Sequence, residues 1–177
     1  MLRGMRGALA RLLWSCLLLG CVGIPKDALV LSPEALADRH MQTRRFDTGD
    51  EVMILRACGA LLQDFGFNLD DSETALGMLV ASKERSAVEP AQVATALAFA
   101  LLGAQYPIDT KQLMRASVIS RPIGEQSEQI AVRVTFQRIV WNSQNQVTKR
   151  EGIRDPAAYQ EFFDKLSKAI FLEAHQL

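Results

Sequence analysis

The sequence predicts an α+β domain: an antiparallel sheet of about five to six strands, covered on one face by two amphipathic helices, with an extra apolar helix inserted mid-chain. Three observations predict it. Two segments, opening at Asp50 and Asp155, carry apolar residues at three- and four-residue steps, so each presents one apolar stripe. The segments between them include alternating apolar and polar runs joined by short polar turns, the pattern of antiparallel neighbours. One stretch, from Val93 to Gly103, is apolar on every side except at Thr95. A one-sided helix must lie on something apolar, and a sheet is the surface this chain can build.

The chain begins with Arg3, Arg6 and Arg11 and a short apolar run that closes on Leu17, Leu18 and Leu19. A basic start, an apolar centre and a small residue, here Gly20, have the layout of an export signal. The run is too short to span a bilayer, which takes about 20 apolar residues. Leu18, Leu19, Gly20 and Cys21 together resemble the lipobox of bacterial lipoproteins. That resemblance implies cleavage before Cys21, a diacylglycerol on its thiol and often an N-acyl chain on the freed amine. With Val22 rather than an aspartate next in line, it also implies an outer-membrane, periplasm-facing address. Residues 1–20 are therefore read as signal, 21–40 as a lipidated tether and 41–177 as a single α+β domain. Each buried CH₂ of an acyl chain adds about 0.8 kcal/mol, so two or three chains hold a small domain on a bilayer. Within the tether, Ser32, Pro33 and Glu34 have the form of a short helix start, running to about Arg39.

Formal charges balance over the 177 residues. Three arginines and no acid fall in residues 1–20, so the remainder is slightly acidic, and no basic surplus points to nucleic acid. Beyond the signal the cysteines are Cys21 and Cys58. With Cys21 acylated, Cys58 has no partner, so no disulfide framework is expected. Cys58 falls on an apolar helix face and reads as a small buried hydrophobe.

Residues 41–47 read as a strand leading into the first amphipathic helix. Thr48 and Glu51 have capping-box spacing, and Asp50 and Glu51 put negative charge at the positive helix end. Val52, Leu55, Cys58, Leu62 and Phe65 form its stripe; Gly66 supplies a left-handed stop, and Phe67 packs back on the last turn. Residues 67–69 continue as a strand. Asp70, Asp71, Ser72 and Glu73 read as a solvated turn, lacking the ligand alternation and glycine of a calcium loop. Residues 77–83 are the returning strand.

The apolar insertion covers about 89–106, opening at Glu89 and Pro90 and closed by Pro107. Twelve helical residues rise about 18 Å, short of a roughly 30 Å hydrocarbon core. Three roles stay open: covering the domain's own sheet, dipping into a bilayer, or packing in a subunit interface. For the last two the contact residues are Val93, Leu97, Phe99, Leu101 and Leu102.

After Pro107, residues 111–121 read as a strand, Pro122 to Glu125 as a turn and 128–141 as a long strand. There Ile130, Val132, Val134 and Phe136 face one way, and Arg133, Thr135 and Gln137 the other. Ile139 and Trp141 break the phase, which predicts a β-bulge near Gln137 and Arg138. Residues 142–145 make a turn, and 146–151 a polar edge strand. The last helix starts with Asp155 as N-cap and Pro156 at N1, and buries Tyr159, Phe162, Phe163, Leu166, Ile170 and Phe171.

The capped helix that ends in the run from Leu62 to Asp70, followed by a hairpin into Gly77 to Ser82, resembles the repeat domains of the C lipoprotein of the β-barrel assembly machine. In those, too, a helix stops at a glycine before a hairpin. The resemblance covers residues 44–84 and implies a bacterial outer-membrane lipoprotein; the apolar insertion departs from the pattern.

Chemistry-bearing patterns are sparse. His40 and His175 have no triad or zinc spacing, and neither a glycine-rich phosphate loop nor a nucleophile elbow occurs. No catalytic residue, metal or cofactor is expected beyond the lipid on Cys21. The expected function is a non-catalytic interaction or assembly module of the periplasm. Its partners would be the membrane, through the anchor, and an envelope protein or further copies of itself, with no nucleic acid. The alternatives are a ring or pore subunit using residues 93–103, and a carrier of lipid or a small apolar ligand.

Overall fold

The structure is a computed structural model and describes residues 31–174. The signal, the lipobox residues Leu18, Leu19 and Gly20, the lipidation candidate Cys21 and His175 lie outside the described residues. One compact unit begins at Glu34.

In chain order the elements are α1 (Pro33–Met41), β1 (Thr43–Phe46), α2 (Glu51–Asp64), β2 (Asn68–Glu73), a 3₁₀ turn (Thr74–Leu76) and β3 (Met78–Ser86), followed by α3 (Pro90–Leu101), β4 (Asp109–Ile123), β5 (Gln129–Asn142), β6 (Val147–Gly152) and α4 (Pro156–Ala174). The fold is α+β. The six strands make one antiparallel sheet in the order β1-β5-β4-β3-β2, with β6 also on β5. The outer edge of β5 is thus shared: β1 takes Ile130 to Arg133, and β6 takes Gln137 to Trp141.

Strand alternation decides what lies inside. Ile130, Val132 and Val134 of β5 are fully buried; beside them on the same face lie Ala116 and Val118 of β4, Leu79 and Ala81 of β3, and Phe46 of β1. Ile54, Cys58, Leu61 and Leu62 of α2 and Tyr159, Phe162, Phe163 and Leu166 of α4 cover that face. Phe162 holds the centre, with ring centroids 5.5 Å from Phe163, 5.9 Å from Phe136 and 6.5 Å from Phe65. Arg44, on the same face near the edge, lies 5.0 Å over the Phe163 ring and donates to Asp164 at 3.0 Å. That hydrogen bond, then one from Gln160, holds the Asp164 carboxyl below its ordinary value.

Helix ends follow local chemistry. Asp50 is the N-cap of α2, accepting from Met53 N at 2.9 Å. Gly66, at φ +77°, closes it: Gly66 N donates to Gln63 O and Phe67 N to Leu62 O, the paired bonds of a Schellman stop. At α4, Asp155 caps the N–H of Ala157 at 3.0 Å.

Several sequence expectations shift. No capping box forms: Thr48 accepts from Asp50 N, while Glu51 leaves the helix end and accepts from Ser120 Oγ on β4 at 2.6 Å. Val52 is exposed and Ile54 buried, which rotates the stripe of α2 toward the sheet. Met41 ends a helix rather than opening a strand: α1 starts at Pro33, as the Ser32, Pro33 and Glu34 pattern implies, and runs two residues past Arg39. Asp38 of α1 pairs with Arg154 at 3.1 Å. The acidic residues read as a turn are strand β2, whose pairing with β3 shifts register between Leu69 and Asp71. Ser82 donates to Asp70 at 2.8 Å there, and cross-strand pairing overrides the weak strand preference of aspartate. Pro122 and Ile123, read as turn, still belong to β4. No bulge forms at Gln137 and Arg138, which pair in unbroken register with Arg115 and Met114. Instead the alternation runs on, and Ile139 and Val140, on opposite faces, are both buried.

The turn into β3 depends on Gly77, at φ +63°. A Cβ there would stand 2.6 Å from both Glu51 Oε1 and the Ser120 carbonyl oxygen. Gly77→Ala is therefore expected to cost about 1–3 kcal/mol of stability through strain and lost packing of the Glu51–Ser120 contact. Urea unfolding measures it, and an unchanged midpoint would contradict this account of the turn.

Candidate functional site

The five contact residues expected from the sequence come together on α3 and its C-cap. Val93, Leu97 and Leu101 follow one another at four-residue steps along one side, and Phe99 and Leu102 lie on another. No residue of α3 is buried; Leu97, Leu101 and Leu102 are 65, 84 and 80 % exposed. The sheet-covering role for this helix is thereby overturned: it stands off the core in the connection between β3 and β4. Among the described residues no helix is long and apolar enough to cross a membrane.

A helix of this length is marginal on its own, so its order needs local causes. Pro90 opens it. Thr95, its one hydroxyl residue, turns back to Ala91 O at 2.9 Å and adds no free polarity. Gly103, at φ +73°, closes it, with Gly103 N on Ala100 O and Ala104 N on Phe99 O at 3.0 Å each. Phe99 stacks on Tyr106, with centroids 5.3 Å apart. Gln92 clamps the helix to β4: its Nε2 donates to Asp109 Oδ2 at 3.1 Å, and its Oε1 accepts from Asp109 N at 2.8 Å. Thr148 of β6 donates to Asp109 Oδ1 at 2.7 Å. The Thr148 hydrogen bond, followed by that from Gln92, holds the Asp109 carboxyl below its ordinary value. The result is a firmly presented apolar arm.

Two further features lie elsewhere. A cleft of about 370 Å³ at the end of α2 is lined by Phe65, Phe67, Lys83, Met114, Phe136 and Ile153. Lys83 Nζ donates to Phe65 O beside it and stands 5.7 Å over the Phe67 ring. On the sheet face opposite α2 and α4, Arg39, Arg121 and Arg133 line a second cleft of about 280 Å³ with Thr43, Ile119 and Ala131. Sequence reading missed this array because its members come from α1, β4 and β5; the one signal was Arg133 on the outward parity.

Other chemistry-bearing residues are placed plainly. Cys58 is buried, and burial pushes its thiol up to about 12, which leaves it inert. Asp70, Asp71 and Glu73 are exposed on the edge strand β2. Among the described residues no three His, Cys, Asp or Glu side chains gather into a metal-holding group.

The Asp109 clamp gives a pH prediction. Its folded-state pKa is lowered, so its contribution is complete above the ordinary aspartate value of about 4 and is lost as pH falls through the lower folded value. Thr148→Val should move the Asp109 titration midpoint up, read by carboxyl-carbon NMR. Gln92→Ala should speed amide exchange in residues 90–102 and leave β5 unchanged; equal exchange in α3 would contradict the clamp.

Compared with known proteins, the chain matches no family's sequence pattern. Nor does any curated protein match it significantly in sequence.

Proposed function

We propose that this chain is a non-catalytic interaction module of the bacterial cell envelope, held by lipid on Cys21 at the periplasmic side of the outer membrane, and that α3 is its docking element for a protein partner. The single observation that carries the docking role is the exposure of Leu97, Leu101 and Leu102 on a helix that is apolar but for Gln92 and Thr95. Burying a leucine stabilises by about 1.5–3 kcal/mol, so a helix that leaves several of them in water gains by being covered. The anchor rests on the lipobox pattern from Leu18 to Cys21. The edge strand β6 is a weaker docking surface, because Lys149, Arg150 and Glu151 put charge along it.

A second reading, a carrier of lipid or a small apolar ligand, is favoured by the aromatic cleft between Phe65, Phe67 and Phe136. Native mass spectrometry of the purified protein tests it: a co-purifying ligand whose mass disappears with Met114→Lys supports carriage.

Two measurements test the first reading. Mass analysis of the protein from cells is expected to show residues 1–20 removed and acyl chains on Cys21; an unmodified terminus further along contradicts the anchor. Leu97→Asp with Leu101→Asp should leave the unfolding free energy within about 0.5 kcal/mol of the parent, since both sites are exposed. The same change should abolish a discrete adduct formed in cells by a photo-crosslinker at Leu102. An adduct that persists contradicts docking through α3, and an adduct between two copies of the chain transfers the role to self-association.

A further inference from the structure

We infer that the uncovered sheet face, at the end remote from α3, docks on the anionic phosphate headgroups of a lipid bilayer through Arg39, Arg45, Arg121 and Arg133. The register builds the array. Arg45 of β1 and Arg121 of β4 both pair with Ala131 of β5, one on each side. At about 4.8 Å between strands their backbones are roughly 10 Å apart, with only a methyl between them. Arg133 stands in the next row, paired with Thr43 and Ile119, and Arg39 reaches the same cleft from α1.

Two acids flank this array on the same face, Asp47, which accepts from Gln129 Nε2, and Glu73, in the row of Arg133, but neither pairs with one of its arginines. Arg44, Lys111, Arg138 and Arg154 do have carboxylate partners, in Asp164, Glu84, Glu151 and Asp38. Among the described residues none of the four arginines of the array makes such a pair. Arg133 donates to a neutral acceptor, Gln42 Oε1, at 2.8 and 3.2 Å, which aims the guanidinium without cancelling its charge. Four positive groups concentrated on a chain whose formal charges balance call for an anion.

Guanidinium forks fit phosphate oxygens two at a time. The array is open and spans two strand rows, wider than one phosphate, and Ile119 and Met78 are exposed beside it. An anionic lipid surface offers several phosphates in a plane with apolar material beneath. The inference deepens the envelope reading, and its place in the cell rests on the lipidated Cys21. Cys21 precedes Pro33, where α1 begins, by 12 residues, at most about 43 Å of extended chain, so a bilayer holding Cys21 is within reach of Arg39. Along β4, Arg121 is 12 residues from Asp109, where α3 is clamped, or roughly 40 Å.

The test uses the chain from Val22 onward, which keeps the whole compact unit beginning at Glu34 and has neither signal nor anchor. Its sedimentation is measured with vesicles of phosphatidylcholine, with and without phosphatidylglycerol, at low and high salt. Binding is expected only with phosphatidylglycerol, falling with salt, and weakened about tenfold or more by Arg45→Gln with Arg121→Gln at unchanged melting temperature. Arg45→Lys with Arg121→Lys should restore most of it. Absent binding by the parent, equal binding to phosphatidylcholine, or equal binding by the glutamine variant would overturn the inference. So would saturable binding of glycerol 1-phosphate that competes the chain off vesicles, which would make this a small-molecule site. Leu97→Asp with Leu101→Asp should not alter vesicle binding; a loss there would assign the membrane contact to α3 instead. Lipidation of Cys21 in cells is measured separately, so either reading can fail alone.

Discussion

Ile130, Val132 and Val134 lie at alternate positions of β5 and are fully buried, and the rest of the structure is set by which way they face. A shift of one residue in the β4–β5 pairing would put all three into water and Arg133 beneath the helices. That penalty fixes the register, and the register fixes the neighbours: Val118 and Ala116 on β4, Leu79 and Ala81 on β3, Phe46 on β1. Helices α2 and α4 then have one dry surface to cover, and Phe162, Phe65 and Tyr159 close the gap between them. The strands leave the opposite face to side chains such as Thr135, Gln137 and the arginines.

With the core complete on one face, the remaining features sort by position along the strands. The connection between β3 and β4 leaves the ladder beyond Ser86, which pairs with Lys111, and carries α3. Its residues contribute nothing to the core cluster. At the other end of β4, the arginines gather on the wet face. An apolar arm thus stands at one end of the strands and a cationic patch at the other.

Much of this was legible in the sequence. The helices α2 and α4 declared themselves through stripes, an aspartate cap and the glycine stop at Gly66, all local signals. The inward set on β5 was legible through alternation. What was not legible depends on partners distant in the chain. Asp70 to Glu73 have weak strand preference, and only their pairing with β3 makes them a strand. Glu51 has the right spacing for a capping box, yet Ser120, 69 residues on, takes its carboxylate. For α3, all-round apolarity says that something must cover the helix and cannot say whether that is the chain's own sheet. The arginine array was hidden for a related reason: its members share a face only once register is known.

The claim at the centre is that the core is complete without α3, which leaves that helix to serve a contact outside the domain. Replacing residues 88–107 by a short flexible turn between β3 and β4 tests it most directly, read by urea unfolding of the replaced and parent chains. The account predicts one cooperative transition with stability within about 1 kcal/mol of the parent. A chain that no longer unfolds cooperatively, or that loses most of its stability, would show that α3 belongs to the fold and contradict the account.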